Sequence, residues 1–184
     1  MLEKNATTEN RFTRSHGQPR ERTVAKVKGY MTDEVKEFIQ KAPFIVMATS
    51  DEQGNCDASP KGGKPGYVKI VDDSHILVPD VAGNRLFQSY QNMNENPHVG
   101  LVFFIPGRDD TVRVNGRVRI VTDAELGQME IELAVKFRDD NSKLLQGILV
   151  EVQESYTHCP RAFKFAGLWD VDEIDRTKES QRRR

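Results

Sequence analysis

A mainly antiparallel β-barrel decorated with helices is the fold the sequence predicts, and three observations carry the prediction. Apolar runs of strand length recur along the chain, from Phe44–Thr49 to Leu145–Val152. Turn-forming stretches such as Asp51-Glu52-Gln53-Gly54-Asn55 and Asp72-Asp73-Ser74 separate successive runs, which makes sequence neighbours pair antiparallel. The stretch Thr111–Val121 alternates closely: Val112, Val114, Val118 and Ile120 share one face with Gly116, while Thr111, Arg113, Asn115, Arg117 and Arg119 share the other. Closing such strands on one another removes exposed edges.

Residues 1–29 set Lys4, Arg11, Arg14, Arg20, Arg22, Lys26 and Lys28 against Glu3, Glu9 and Glu21. An arm so poor in apolar surface does not order itself, and it reads as a disordered or loosely packed segment or as one draped over a partner subunit. Thr32 has the chemistry of an N-cap, Asp33 and Glu34 suit a first turn, and Val35, Phe38 and Ile39 give an apolar stripe that Pro43 ends. The run Phe44–Thr49 then reads as a buried strand that hairpins into Cys56–Lys61, and Gly62, Gly63, Pro65 and Gly66 break the regularity after it. Val68–Val71 and His75–Pro79 form two more strands.

A helix is expected from about Asn84 to Asn94, with Leu86, Phe87, Tyr90 and Met93 inward, and Asn96-Pro97 ends it. His98–Ile105 is an apolar strand closed by Pro106-Gly107, and the long alternating strand follows it. Asp123 is expected to cap a helix that runs to about Arg138. Leu145–Val152 is the last strand, and a short helical piece ends at Gly167-Leu168-Trp169. The charged residues 173–184 read as a frayed tail, which leaves one domain over 30–172.

Composition narrows the function. A net charge of −1 gives no bulk attraction to nucleic acid. No window approaches the roughly 20 apolar residues of a membrane span, and the polar start has no export pattern. Cys56 and Cys159 make no disulfide framework, so a cytoplasmic location is expected. His158-Cys159 has no further Cys or His in company, and His16, His75 and His98 show no metal spacing, so no metal is expected.

One region concentrates the chemistry of an anion site. On a strand Ser59 and Lys61 point the same way, with Pro60 between them, and Asn84 and Arg85 open the next helix. A hydroxyl, an ammonium, a guanidinium and a helix N-terminus are the groups that hold phosphate. The stretch reads as a cradle for a phosphorylated ring cofactor.

From Phe38 to Asp170 the chain resembles the FMN-binding split barrels of the pyridoxamine 5'-phosphate oxidase class. The likeness is carried by Asp57-Ala58-Ser59-Pro60-Lys61-Gly62, Pro79-Asp80-Val81-Ala82-Gly83-Asn84-Arg85, Asn96-Pro97-His98-Val99-Gly100-Leu101, Val112-Arg113-Val114-Asn115-Gly116 and His158-Cys159-Pro160-Arg161-Ala162 with Leu168-Trp169. The resemblance implies a split β-barrel of antiparallel, Greek-key-like order and a homodimer with FMN in the clefts between subunits. It implies that Lys61 and Arg85 hold the phosphate, helped by Asn84 and Ser59, and that the backbone at Val78, Pro79 and Asp80 lies along the ring. Thr111 and Arg113 would form a polar pair on the long strand, with Arg113, or else Arg117, near the ring pyrimidine. Trp169 would close the pocket from the partner subunit, with Arg161 assisting.

Two departures shape the expected activity. Cys56–Lys61 lacks the arginine and bulky aliphatics of true pyridoxamine phosphate oxidases, and their C-terminal tryptophan–arginine–proline signature is missing. The expectation is therefore an FMN-dependent oxidoreductase acting on a small molecule other than vitamin B6, with no catalytic residue singled out. The alternative is a non-catalytic carrier of flavin, haem or a deazaflavin on the same barrel. Residue by residue, plainer roles stay open: a surface lysine at Lys61, ion pairs for the arginine row, an anchoring role for Trp169.

Overall fold

The computed structural model describes residues 9–81, 83, 85–130, 134–137 and 143–182. Among these residues seven strands make one antiparallel sheet: β1 (Phe44–Ser50), β2 (Cys56–Gly62), β3 (Lys69–Ile70), β4 (His75–Val81), β5 (His98–Phe104), β6 (Thr111–Thr122) and β7 (Leu144–His158). Their order is β2-β1-β5-β6-β7-β4-β3. The ladder does not close, because β2 and β3 are its two ends. The expected barrel is thus split, for local reasons. Pro60 has no N–H to give a further ladder, and β3 is only two residues long.

Strand register follows from the turns. The Asp51 carboxylate accepts from the N–H groups of Gln53 and Asn55, which sets Ser50 opposite Cys56 and Met47 opposite Ser59. The main core lies inside the curled sheet. It includes Ile45, Met47, Leu101, Phe103, Val114 and Ile148, all fully buried, each worth about 1.5–3 kcal/mol of hydrophobic transfer. Helix α3 (Asp33–Lys41) covers one end of that core. Its Thr32 hydroxyl accepts from Val35 N–H, and Val35, Phe38 and Ile39 are buried as their spacing requires.

The β6 faces are less clean than the alternation suggests. Val112, Val114 and Val118 are buried, but so are Thr111 and Val121. Val121 joins Leu77 and Leu126 in a small second core under α5 (Asp123–Gln128).

Four helical expectations change. Helix α4 spans Gln88–Glu95 and does not start at 84. Arg85 and Phe87 have φ of 61° and 54°, and left-handed residues cannot continue a right-handed helix. Leu86 and Phe87 are therefore 62% and 42% exposed, while Tyr90 and Met93 do point inward. The cap of α5 is Thr122, not Asp123, through a reciprocal capping box with Glu125. That helix stops near Met129, Glu130 has φ 55°, and 134–137 are not helical; 131–133 and 138–142 lie outside the described residues. The tail is also helical rather than frayed: α7 (Val171–Arg182) carries the pairs Glu173–Arg176 and Asp175–Lys178 three residues apart.

Over its described residues, 9–29, the arm forms two short helices, α1 (Arg11–His16) and α2 (Glu21–Val24), neither of which has a buried residue. It is pinned where it ends. Lys28 and Ser155 exchange backbone hydrogen bonds, and the buried Ser155 hydroxyl donates to Tyr30 O at 2.7 Å. A last short helix, α6 (Arg161–Ala166), ends at Gly167 with φ 57°. Among the described residues no helix is long and apolar enough to cross a membrane.

The α5 cap carries a pH signature. Backbone and hydroxyl hydrogen bonds from Thr122, with Arg119 alongside, hold the Glu125 carboxyl down at about 2, against an ordinary 4.5. A depressed carboxyl contributes stability that is complete above the unfolded-state pKa and is lost as pH falls through the folded one. Acid denaturation between pH 4.5 and 2 should therefore become shallower in Glu125→Gln. Thermal melts across that range check this; parallel curves for the two proteins would remove Glu125 as a contributor.

Candidate functional site

Strand β2 is half-buried on one face only, and that face presents Asp57, Ser59 and Lys61. Across the split in the sheet stands the end of β4. Lys61 Nζ donates to Asp80 Oδ1 at 2.8 Å, and Asp80 is only 5% exposed. Tyr67 ties the same seam by donating its hydroxyl to Lys61 O at 3.2 Å. The two ends of the sheet are thus held together by side chains where no backbone ladder runs.

A polar cavity of about 210 Å³ lies on this seam. Ser59, Pro60, Lys61, Asp80 and Arg85 all line it, so five of the expected site residues share one place. Asn84 lies outside the described residues. Arg85 is exposed and makes no ion pair among the described residues, which leaves its guanidinium available to an anion. It reaches the cavity from a left-handed turn rather than from a helix start.

Val78 and Pro79 are buried in β4, opposite Ile148 and Gly147 of β7. On its other side β4 is paired with β3 only at Ile76 and Leu77. From Val78 to Val81 that edge has no ladder partner among the described residues, and it faces the seam.

The remaining expected residues lie away from the cavity. Thr111 is buried at the start of β6, opposite His158. Arg113 donates to the Tyr156 hydroxyl at 3.1 Å and sits 5.7 Å from the centre of its ring. Arg117 is exposed opposite Glu151. Trp169 stacks on Phe163 at 6.0 Å and donates its indole N–H to Arg108 O at 2.8 Å. Phe163 continues through Phe104 to Phe44 in an aromatic row across the outside of the sheet. Arg161 lies over the exposed Phe165 ring. Within one chain, Thr111, Arg113 and Trp169 do not meet Lys61 and Arg85.

The sequence model of the family described as pyridoxamine 5'-phosphate oxidase matches residues 31–159, more than half of the chain. The chain belongs to that family. Solved structures show the same fold at low identity. HupZ from Group A Streptococcus is 17% identical, with 69% of this chain and 93% of that one covered at a TM-score of 0.50. A point variant of HupZ gives 18%, 70%, 99% and 0.51 in the same order. A candidate pyridoxamine 5'-phosphate oxidase from Lactobacillus delbrueckii is 20% identical over 70% of this chain and 95% of that one, at 0.50. No curated protein matches the chain.

Among the residues of this pyridoxamine 5'-phosphate oxidase family member that line the cavity without having been expected there are Asp57, Ser89 and Tyr90. Asp57 takes a hydrogen bond from the Ser89 hydroxyl, and Ser89 and Tyr90 line the wall from α4. Asp57 was legible, since it alternates with Ser59 and Lys61. Ser89 and Tyr90 depended on where α4 begins.

Proposed function

We propose that the chain is a flavin-dependent oxidoreductase that binds FMN between two copies of itself and acts on a small molecule. The observation that carries the reading is the meeting of Lys61, Ser59 and Arg85, which has no ion partner among the described residues, at one polar cavity on the seam. The donors fit a phosphate monoester, and Arg85 is the cation that no carboxylate engages among the described residues. Asp80 is paired with Lys61, and Asp57 accepts from the Ser89 hydroxyl.

The cavity of about 210 Å³ is smaller than the roughly 300–1,000 Å³ of pockets that enclose small ligands. It suits the phosphate and its tether, and the ring belongs outside it, along the unpaired Val78–Asp80 edge. Thr111, Arg113 and Trp169 lie away from that edge in their own chain, and in this reading a partner subunit of a homodimer brings them to it. Bound flavin supplies hydride and electron chemistry. The chain's part is to grip the phosphate with Arg85 and Lys61, place Arg113 near the ring pyrimidine, and shield the ring with Trp169. The two free cysteines, both exposed, accord with a reducing, cytoplasmic location.

The absorption spectrum of freshly purified protein, together with its mass in solution, tests this reading. A flavin spectrum, native or restored with FMN, on a dimer is expected. A colourless protein that takes up no FMN would sink the proposal, and a Soret band would replace flavin with haem. Steady turnover of a reductant by the flavin-loaded protein separates an enzyme from a carrier.

A further inference from the structure

The Tyr90 hydroxyl is a buried side-chain group without a hydrogen-bond partner among the described residues. Tyr90 is 9% exposed and lines the cavity beside Lys61 and Asp80. Asp80 and Gln146 stand beside the hydroxyl, and these two face each other across β4 and β7. Neither closes a hydrogen bond with it. A hydroxyl left in this way destabilises the fold, and phenylalanine would fill the same space without that penalty.

The neighbouring ion pair presents the complementary problem. Asp80 is buried, and its ion-pair partner is Lys61 at 2.8 Å. An anion in the cavity competes for that same ammonium. A buried carboxylate stripped of its partner is strongly disfavoured, so Lys61 can turn to an anion only if another donor takes its place on Asp80.

We propose that Tyr90 is that donor: when Lys61 moves to an anionic group in the cavity, the Tyr90 hydroxyl closes onto Asp80 and holds its charge. The exchange rests on the anion reading of the cavity given above and adds to it the means by which Lys61 is released. Tyr90 is on this account a positioning residue, acting on the ligand through Asp80. Burial first, and then the charge of Asp80, push its pKa upward, so it remains a protonated donor at neutral pH.

Two double-mutant cycles test the exchange. The first needs no ligand and compares melting temperatures of the full-length protein, Lys61→Met, Tyr90→Phe and the double variant. With Tyr90 present, loss of Lys61 should be partly covered. The drop caused by Lys61→Met should be larger in the Tyr90→Phe background by roughly 3 °C or more, or the double variant should fail to fold where the single one folds. Equal drops in both backgrounds overturn the exchange, as does a Lys61→Met protein that does not fold with Tyr90 in place.

The second cycle follows FMN affinity by quenching of flavin fluorescence. Tyr90→Phe should weaken binding about tenfold when Asp80 is present, and by less than about twofold in an Asp80→Asn background. The same loss in both backgrounds means that Tyr90 touches the ligand directly, and no loss in either means that it does neither; both results overturn the proposal. A wild-type protein that binds no FMN refutes the flavin reading alone, because the melting-temperature cycle still decides the exchange.

Discussion

Gly116→Ala is expected to cost roughly 3 kcal/mol of stability, which corresponds to a melting temperature lower by roughly 6–12 °C in a chain of this size. The reason is local and geometric. At Asn115/Gly116 the register between β6 and β7 shifts, so that Asn115 faces Glu154 while Gly116 faces Val152. The strands approach so closely there that a methyl group on Gly116 would be driven into the backbone carbonyl oxygen of Glu151 and to 2.9 Å from Val150 Cγ1. A carbonyl in a ladder cannot give way as the end of a flexible side chain can. Gly127→Ala is the matched control. Nothing lies within 4 Å of the added carbon, and the site is in α5, so a gain of about 0.5–1 kcal/mol is expected. Urea unfolding of the two variants measures both; a Gly116→Ala protein as stable as wild type would show that β6 and β7 can slide apart at the bulge.

Arg85→Ala should weaken FMN binding by about ten- to one-hundred-fold, since one charge-assisted contact is worth roughly 1.5–3 kcal/mol. The side chain is exposed and makes no ion pair among the described residues, so little else should change. Melting temperature without ligand should stay within a few degrees of wild type. Arg85→Lys should fall between the two proteins, because it keeps the charge and loses the planar fork that grips two oxygens at once. Titration with FMN, followed by fluorescence, reads all three. Equal affinity for wild type and Arg85→Ala would move the phosphate to another place on the chain. Arg85 is the cleaner probe of the two cations, since truncating Lys61 also leaves Asp80 without its ion partner.

Most strands were legible because residue type and period encode them directly, but β7, expected over Leu145–Val152, runs on to His158. β6 was expected over 111–121 and spans Thr111–Thr122; the turn residues around Asp51 placed the β1–β2 hairpin. The site was legible in part for the same reason: alternation alone puts Ser59 and Lys61 on one face. What the sequence concealed was set by backbone handedness and by distance along the chain. Arg85-Leu86-Phe87 has the composition of a helix start, and nothing in those residue types announces φ of 61° and 54° at Arg85 and Phe87. The Lys61–Asp80 pair joins residues 19 apart, on strands that are not neighbours in the sheet, and only the curl of the sheet brings them together. The cap of α5 was misplaced by one residue because Thr122 and Asp123 are both good caps, and the choice was settled by the reciprocal bond to Glu125.

The short reach of β3 has a consequence for what this scaffold can host. By stopping at Ile70, opposite Ile76, it leaves the end of β4, where Pro79 offers a carbonyl and no N–H, without a flanking strand to engage it. A flat heterocycle with polar edges can meet that unmet demand in place of polypeptide. The guest would then stand where an eighth strand could, and its binding would stabilise the scaffold.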